Sequence, residues 1–172
     1  VGDAEAAAAA VLGALEAIAT LRLPVRVRAY LPLAENMPDG LAYRPGDIVR
    51  CANGKTVEIL NTDAEGRMIL ADALAWAASE KPDELVELST LTGACVVALG
   101  HHNSGMFARL DTHATELLEA GRRTGDPCWR MPLDEEYDDG LKSNCADMAN
   151  TAGRAGGAIT AAMFLKRFAG KY

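Results

Sequence analysis

The stretch Asn61-Thr62-Asp63-Ala64-Glu65-Gly66-Arg67 decides which fold this sequence predicts. It is preceded by the apolar residues Val57, Ile59 and Leu60, and it is followed by the apolar run 68–78. A short apolar run before a polar turn and a long one after it predict a strand followed by a helix. In an extended chain the side chains at i, i+2 and i+4 lie on one face, so Asp63, Glu65 and Arg67 are predicted to point the same way.

The pair Asp63 and Glu65 has a functional and a structural interpretation. Two carboxylates this close repel each other unless a cation lies between them, and divalent metals bind carboxylate oxygens. Arg67 cannot bind a metal, but its guanidinium can hold an anion or a polarised carbonyl beside one. The structural alternative is that the acidic residues interact with the dipole at the amino end of the following helix. The carboxylate pair alone leaves both interpretations open.

Helical and extended patterns alternate along the rest of the chain. Helices are predicted from the central stretch to about residue 80 and also over the segments 3–19, 94–99, 111–123 and 156–168. Strands are predicted over the segments 23–33, 43–50, 55–60, 84–88 and 104–108, with an Asn53-Gly54 hairpin turn between the second and third. Strands that alternate with helices predict an α/β fold, with a mixed sheet flanked by helices on both faces.

Composition limits the class of protein. The chain has 172 residues, 49% of them hydrophobic and 24% charged, which suits one globular domain. The net charge of −7 argues against a surface that binds nucleic acid. No apolar run is long enough to cross a membrane, and no leader pattern is present. The four cysteines are scattered without a C-x-x-C pair, so reduced thiols and a cytoplasmic protein are expected.

The central stretch is similar to the signature of the leucyl aminopeptidases, the two-metal family also called M17. Further segments resemble the same family in the same order, and together they cover nearly the whole chain: residues 35–40 (Glu-Asn-Met-Pro-Asp-Gly), 89–94 (Ser-Thr-Leu-Thr-Gly-Ala), 141–150 (Leu-Lys-Ser-Asn-Cys-Ala-Asp-Met-Ala-Asn) and 153–162 (Gly-Arg-Ala-Gly-Gly-Ala-Ile-Thr-Ala-Ala). The resemblance implies a fold like that of the zinc-dependent exopeptidases and the removal of N-terminal residues such as leucine from peptides. It also implies two divalent ions, zinc or manganese, with bicarbonate as a possible further cofactor.

The resemblance assigns roles to individual residues. Asp63 and Glu65 match metal-binding carboxylates, with Glu65 as the bridging ligand, and Arg67 matches an arginine that positions a bicarbonate-like base. Asp3 matches a further aspartate ligand before the alanine-rich helix; the alternative is that it caps that helix.

Further positions match the substrate cleft of the family. Thr90, Leu91 and Gly93 match a loop that lines it, although Thr90 or Thr92 could instead cap the next helix. The segment that contains Lys142, Asp147 and Asn150 is expected to support the cleft or a subunit contact.

Other parts of the family pattern are not found in this sequence. A Lys-Gly-Ile-Thr-Phe-Asp-Ser-Gly-Gly-like motif supplies further metal ligands in the family, and it does not occur here. Residues 1–172 are therefore expected to be a fragment of the catalytic domain, without the family's N-terminal domain and with an incomplete ligand set.

Two functions remain possible at this point. One is a metallo-aminopeptidase that acts on peptides, which the resemblance implies to be a homo-hexamer. The other is a non-catalytic oligomeric scaffold, or a member of the family that binds DNA as a side activity.

Overall fold

The computed structural model of the chain describes residues 3–172, except for the side chains of residues 3–5. Its helices are α1 (Asp3–Thr20), α2 (Gly66–Ser79), α3 (Ala94–Leu99), α4 (Asp111–Thr124) and α5 (Gly157–Lys166), with a 3₁₀ helix over Glu135–Leu141. Its strands are β1 (Ile48–Arg50), β2 (Thr56–Glu58), β3 (Ser104–Met106), β4 (Cys128–Arg130) and β5 (Met148–Ala149). The side chain of Asp3, a predicted metal ligand, lies outside the described part.

A three-stranded mixed sheet in the order β1-β2-β5 forms the centre of the fold. β1 and β2 are antiparallel, with Val49 opposite Val57, and they form the hairpin predicted from Asn53-Gly54. Gly54 has a φ of +87°, a conformation that residues with a side chain rarely adopt. β5 runs parallel to β2, with Glu58 opposite Ala149, so distant parts of the chain meet where β2 ends.

The helices that follow the two parallel strands pack on each other and complete the core. α2 follows β2, α5 follows β5, and the two helices are in contact. Side chains from the hairpin and both helices form one buried cluster, which includes Val57, Ile59, Ala71, Met163 and Phe164. Because β2 and β5 are parallel, the chain leaves both strands at the same edge of the sheet, and α2 and α5 follow from that edge.

A second, two-stranded sheet pairs β3 with β4 in parallel. α4 precedes β4 and packs against it, and α3 contacts both β3 and α5. The chain therefore has a mixed sheet and flanking helices, which confirms the predicted α/β class.

Two predicted strands are not formed. Segments 23–33 and 84–88 have no regular secondary structure, and Val25, Val27 and Val86 are exposed although their alternation is typical of a strand. A strand needs a neighbour for its amide and carbonyl groups. Within residues 3–172, neither segment has a ladder of backbone hydrogen bonds with another segment.

Candidate active site

The predicted carboxylate pair lies in the connection from β2 to α2. Asp63 is part of a turn, and Glu65 has helical backbone angles (φ −74°, ψ −36°) immediately before α2. Arg67 belongs to the first turn of α2. The prediction that Asp63, Glu65 and Arg67 share one face of an extended chain was therefore wrong, because the strand ends at Glu58 and the chain turns directly into the helix.

Both carboxylates of the pair are available for a ligand. Asp63 is exposed and Glu65 is half-buried. Neither side chain accepts a hydrogen bond or forms an ion pair with any residue that the structure describes. Glu65 occupies the cap position of α2 without making a side-chain capping bond, so its oxygens are not used by the helix end. Among residues 3–172, apart from the side chains of residues 3–5, no group of three acidic, histidine or cysteine side chains forms a metal site.

Asn150 holds the turn that carries these carboxylates. Its side-chain oxygen Oδ1 accepts hydrogen bonds from the backbone N–H groups of Leu60 (2.8 Å) and Asn61 (3.2 Å). Its Nδ2 donates to the backbone oxygen of Asn61 at 2.6 Å. Within the turn, the backbone N–H of Asp63 donates to the side-chain oxygen of Asn61 at 2.9 Å. The turn is therefore fixed both by Asn61 within it and by Asn150, which directly follows β5.

Arg67 is a buried cation. Only 6% of its surface is exposed, and its Nη1 donates a hydrogen bond to the backbone oxygen of Asn150 at 2.8 Å. Its Nε is buried without a hydrogen-bond partner in the described part of the chain. Burial lowers the pKa of this guanidinium below its ordinary value, because the charged form is less well solvated there. An unpaired donor on a buried cation is expected where an anion or a polarised oxygen binds.

Arg67 also lines an open cleft of about 640 Å³ between the beginning of α5 and α3. Thr92 and Arg154 line the same cleft, together with glycines that precede and begin α5. No acidic residue contributes to its wall within residues 3–172. The cleft thus has two guanidinium groups and an uncompensated positive charge, in a chain whose net charge is −7.

The substrate-loop residues predicted from the resemblance lie beside this cleft. Thr92 is the member of residues 90–93 that lines it, whereas Thr90 and Gly93 are exposed and Leu91 packs against the core. The hydroxyl of Thr92 also accepts a hydrogen bond from the N–H of Ala94 at 3.2 Å. This bond resembles the helix cap that was predicted from the sequence as the alternative role of Thr90 or Thr92. Asp63 and Glu65 are not part of the cleft wall.

Tyr43 is a neighbour of the site that the sequence did not indicate. Its hydroxyl is buried without a hydrogen-bond partner among the described residues. Burial raises the pKa of this phenol, and the negative charge of Glu65 raises it further. Tyr43 belongs to no polar pattern in the sequence, so the influence of Glu65 on it follows only from the fold.

Comparison with known proteins identifies the family. The profile of the cytosol aminopeptidase family, catalytic domain, matches residues 3–172. The chain is 61% identical over 163 residues to the probable cytosol aminopeptidase of Acidovorax sp. (strain JS42), an alignment that covers 95% of this chain and 33% of that protein. The chain belongs to the cytosol aminopeptidase family, M17, a family of enzymes.

Solved structures agree with this assignment. The cytosol aminopeptidase of Coxiella burnetii superposes with a TM-score of 0.89 at 49% identity, covering 94% of this chain and 36% of that one. The bottromycin maturation enzyme BotP in complex with Mn superposes with a TM-score of 0.90 at 45% identity, covering 96% and 37%. The chain spans about a third of the length of the relatives it matches.

Proposed function

We propose that the protein is a metal-dependent aminopeptidase that releases N-terminal residues such as leucine from peptides, and that this chain supplies part of its active site. The observation that carries the proposal is the arrangement at the β2–α2 connection. There, two carboxylates without a described partner lie in a fixed turn, and a buried arginine with an unpaired Nε follows them. The family assignment gives this arrangement its chemical context.

The side chains at the connection suit divalent metal ions. Asp63 and Glu65 offer carboxylate oxygens, which zinc, manganese and magnesium all accept. BotP, a structural neighbour, is described in complex with Mn, and we expect this protein also to use two divalent ions, zinc or manganese. Bound ions of this kind activate water and polarise the carbonyl of the bond to be cleaved. Asp3 is proposed as a further ligand, and the remaining ligands would come from outside residues 1–172.

The other residues of the proposed site bind an anion and the peptide substrate. The guanidinium of Arg67, which lines the cleft, would hold an anion such as bicarbonate close to the turn that carries Asp63 and Glu65. Because most of this guanidinium is buried, water competes poorly for it and the interaction is stronger than at a surface. Thr90, Leu91 and Gly93 are proposed to contact the peptide beside the cleft, with Thr92 in its wall.

Peptide hydrolysis by the intact protein tests the proposal. Leucine amide is incubated with the protein and added Mn²⁺ or Zn²⁺, and the Glu65→Gln variant is measured in parallel. Glu65→Gln removes one charge without changing the shape of the side chain, and we expect it to reduce kcat at least about 100-fold, as for loss of a metal ligand. Glu119→Gln, which removes an exposed carboxylate of α4, is the matched control and should keep full activity. Equal activity of Glu65→Gln and the parent would reject the proposed site.

The remaining properties of the whole protein are also proposals. Within the described residues, no helix is long and apolar enough to cross a membrane. We expect a cytoplasmic homo-hexamer that acts on peptides. Sedimentation of the intact protein measures the assembly directly, and a stable monomer would contradict it.

A further inference from the structure

Asn150 is the most completely hydrogen-bonded polar side chain near the candidate site. It lies directly after β5, and its exposed fraction is 0%. Its backbone N–H donates to the backbone oxygen of Glu58 at 2.9 Å, which continues the pairing of β5 with β2 by one more bond. Its backbone oxygen accepts the hydrogen bond from Nη1 of Arg67 at 2.8 Å.

Where the sheet ends, the amide side chain of Asn150 supplies the hydrogen bonds that a neighbouring strand would otherwise supply. The pairing of β2 with β5 stops at Glu58 and Ala149, and beyond it the chain turns towards Asp63. The N–H groups of Leu60 and Asn61 and the oxygen of Asn61 would lose their ladder partners at this point, and each buried polar group left unpaired is costly. The side chain of Asn150 satisfies all three, because an amide carries both an acceptor and a donor.

Asn150 therefore connects the two halves of the candidate site. Through its side chain it fixes the turn that leads to Asp63 and Glu65, and through its backbone oxygen it fixes Arg67. We infer that Asn150 is a positioning residue, which sets the metal-binding carboxylates and the arginine at their working separation without touching the substrate. This inference rests on the proposed function, because it concerns how that site is held in place.

A neighbouring residue offers a matched control. Asp147 lies directly before β5, whereas Asn150 lies directly after it. Asp147 is hydrogen-bonded to Thr56, the first residue of β2. Its carboxylate accepts hydrogen bonds from the N–H (2.7 Å) and the hydroxyl (2.8 Å) of Thr56, and its own N–H donates to that hydroxyl at 3.0 Å. Asp147→Ala therefore removes side-chain bonds between the same two strands, but at the end away from Asp63 and Glu65. A residue that only stabilised the β2–β5 pair would behave as Asp147 does.

The experiment compares Asn150→Ala with Asp147→Ala in the intact protein. Mn²⁺ affinity is measured by titration followed by electron paramagnetic resonance, thermal unfolding gives the midpoint of each metal-free variant, and hydrolysis of leucine amide gives kcat and KM. We expect Asn150→Ala to weaken Mn²⁺ binding by about 10- to 100-fold, the usual effect of losing a group that orients a metal ligand, and to lower kcat more than it raises KM. Asp147→Ala should change Mn²⁺ affinity less than threefold, whatever its effect on the unfolding midpoint.

Asn150→Ser provides a second variant that adds no charge. Its hydroxyl can donate and accept, but it is too short to serve the N–H groups of Leu60 and Asn61 and the oxygen of Asn61 together, so its Mn²⁺ affinity should lie between those of the parent and Asn150→Ala. If Asn150→Ala does not fold, Asn150→Ser decides the question by the same comparison with Asp147→Ala.

The possible results separate this inference from the proposed function. Parent-like Mn²⁺ affinity in the Asn150 variants, or equal weakening by Asp147→Ala, would overturn the positioning role while the aminopeptidase proposal stands. A parent protein that neither binds Mn²⁺ nor cleaves leucine amide would overturn both.

Discussion

At the scale of single residues, Arg67 shows a conflict between stability and function. Burying a guanidinium without a counter-charge costs several kcal/mol, and its one described hydrogen bond, to the oxygen of Asn150, returns about 1.5–3 kcal/mol. Arg67→Met keeps most of the side-chain volume and removes the buried charge. Relief of the buried charge is offset by the loss of the hydrogen bond to the buried oxygen of Asn150, so we expect the free energy of unfolding to change by no more than about 2 kcal/mol, while kcat for leucine amide falls at least about tenfold. Denaturant unfolding and steady-state kinetics measure the two quantities.

Arg130→Met is the control for that variant. Arg130 is an exposed arginine whose ion pair with Asp111, at 2.7 Å, lies outside the cleft. Loss of an exposed ion pair changes stability by only about 0–1 kcal/mol, and kcat should not change. A large loss of stability in Arg67→Met together with normal kcat would show that Arg67 is a structural residue.

Cys51 predicts a specific dependence of stability on pH. Burial, followed by the charge of Asp72, raises the pKa of this thiol from its usual 9.0 to about 11. Between these two values the unfolded chain loses the proton that the folded protein retains. The contribution of Cys51 is therefore fully present below pH 9 and is lost as the pH rises towards 11, by about 1 kcal/mol per pH unit.

Unfolding free energies measured from pH 8 to 11 test this dependence. Cys51→Ala should reduce the slope of stability against pH, whereas Cys145→Ala, which removes an exposed thiol, should leave the slope of the parent. Identical slopes for all three proteins would mean that Cys51 ionises equally well in the folded state.

At the scale of elements, the beginning of α5 depends on a glycine. Gly156 precedes the helix in the left-handed region, with φ +62° and ψ 28°, and a Cβ there would lie 3.4 Å from the ring of Tyr137. An alanine in this conformation costs about 1–2 kcal/mol. We expect Gly156→Ala to lower the free energy of unfolding by about that amount and to raise KM, because the start of α5 lines the cleft.

Gly153→Ala is the matched control, because Gly153 lies in the same segment between β5 and α5 as Gly156. Gly153 also lines the cleft, but it has no positive φ, and an added Cβ would meet no atom within 4 Å in the described structure. Its free energy of unfolding should remain within about 0.5 kcal/mol of the parent value. An equal loss in both variants would indicate that any side chain in this connection is unfavourable.

Elements with local signals were predictable from the sequence, and elements that depend on distant partners were not. The Asn53-Gly54 hairpin and the helices α2, α4 and α5 each have their turn residues and apolar periodicity within one stretch, and all four formed, although the hairpin strands are shorter than the predicted segments 43–50 and 55–60. β5 has only two residues, and it exists because β2 lies beside it. Segments 23–33 and 84–88 have the pattern of strands but no paired neighbour within the described residues.

The same division applies to the candidate site. Asp63, Glu65 and Arg67 were found because they form one continuous motif. The family resemblance also predicted that the segment of Asn150 supports the cleft or a subunit contact, but the groups that Asn150 binds, and the effect of Glu65 on Tyr43, arise from tertiary packing. A linear pattern identifies reactive groups more readily than the residues that hold them.

At the scale of the whole molecule, two unpaired segments expose large apolar side chains. Val25, Val27, Leu33, Val86 and Leu88 are each 47–63% exposed. Extended segments without a ladder of backbone hydrogen bonds among the described residues invite pairing with other chains, and exposed apolar side chains favour such contacts. This chain also spans only about a third of its relatives. We therefore expect these segments to be covered in the intact protein.

Dye binding and sedimentation test that expectation. The 172-residue chain produced alone should bind 8-anilinonaphthalene-1-sulfonate strongly and self-associate with rising concentration, whereas the intact protein should bind the dye weakly. A Val27→Thr, Val86→Thr double variant of the chain should bind less dye, because it removes apolar surface from both segments without changing side-chain shape. Val96→Thr, on α3 outside these segments, is the control and should reduce binding less, because Val96 is 45% exposed and Val27 is 47% exposed. If the chain alone stays monomeric and binds no more dye than the intact protein, segments 23–33 and 84–88 do not form a contact surface, and their strand-like pattern requires another explanation.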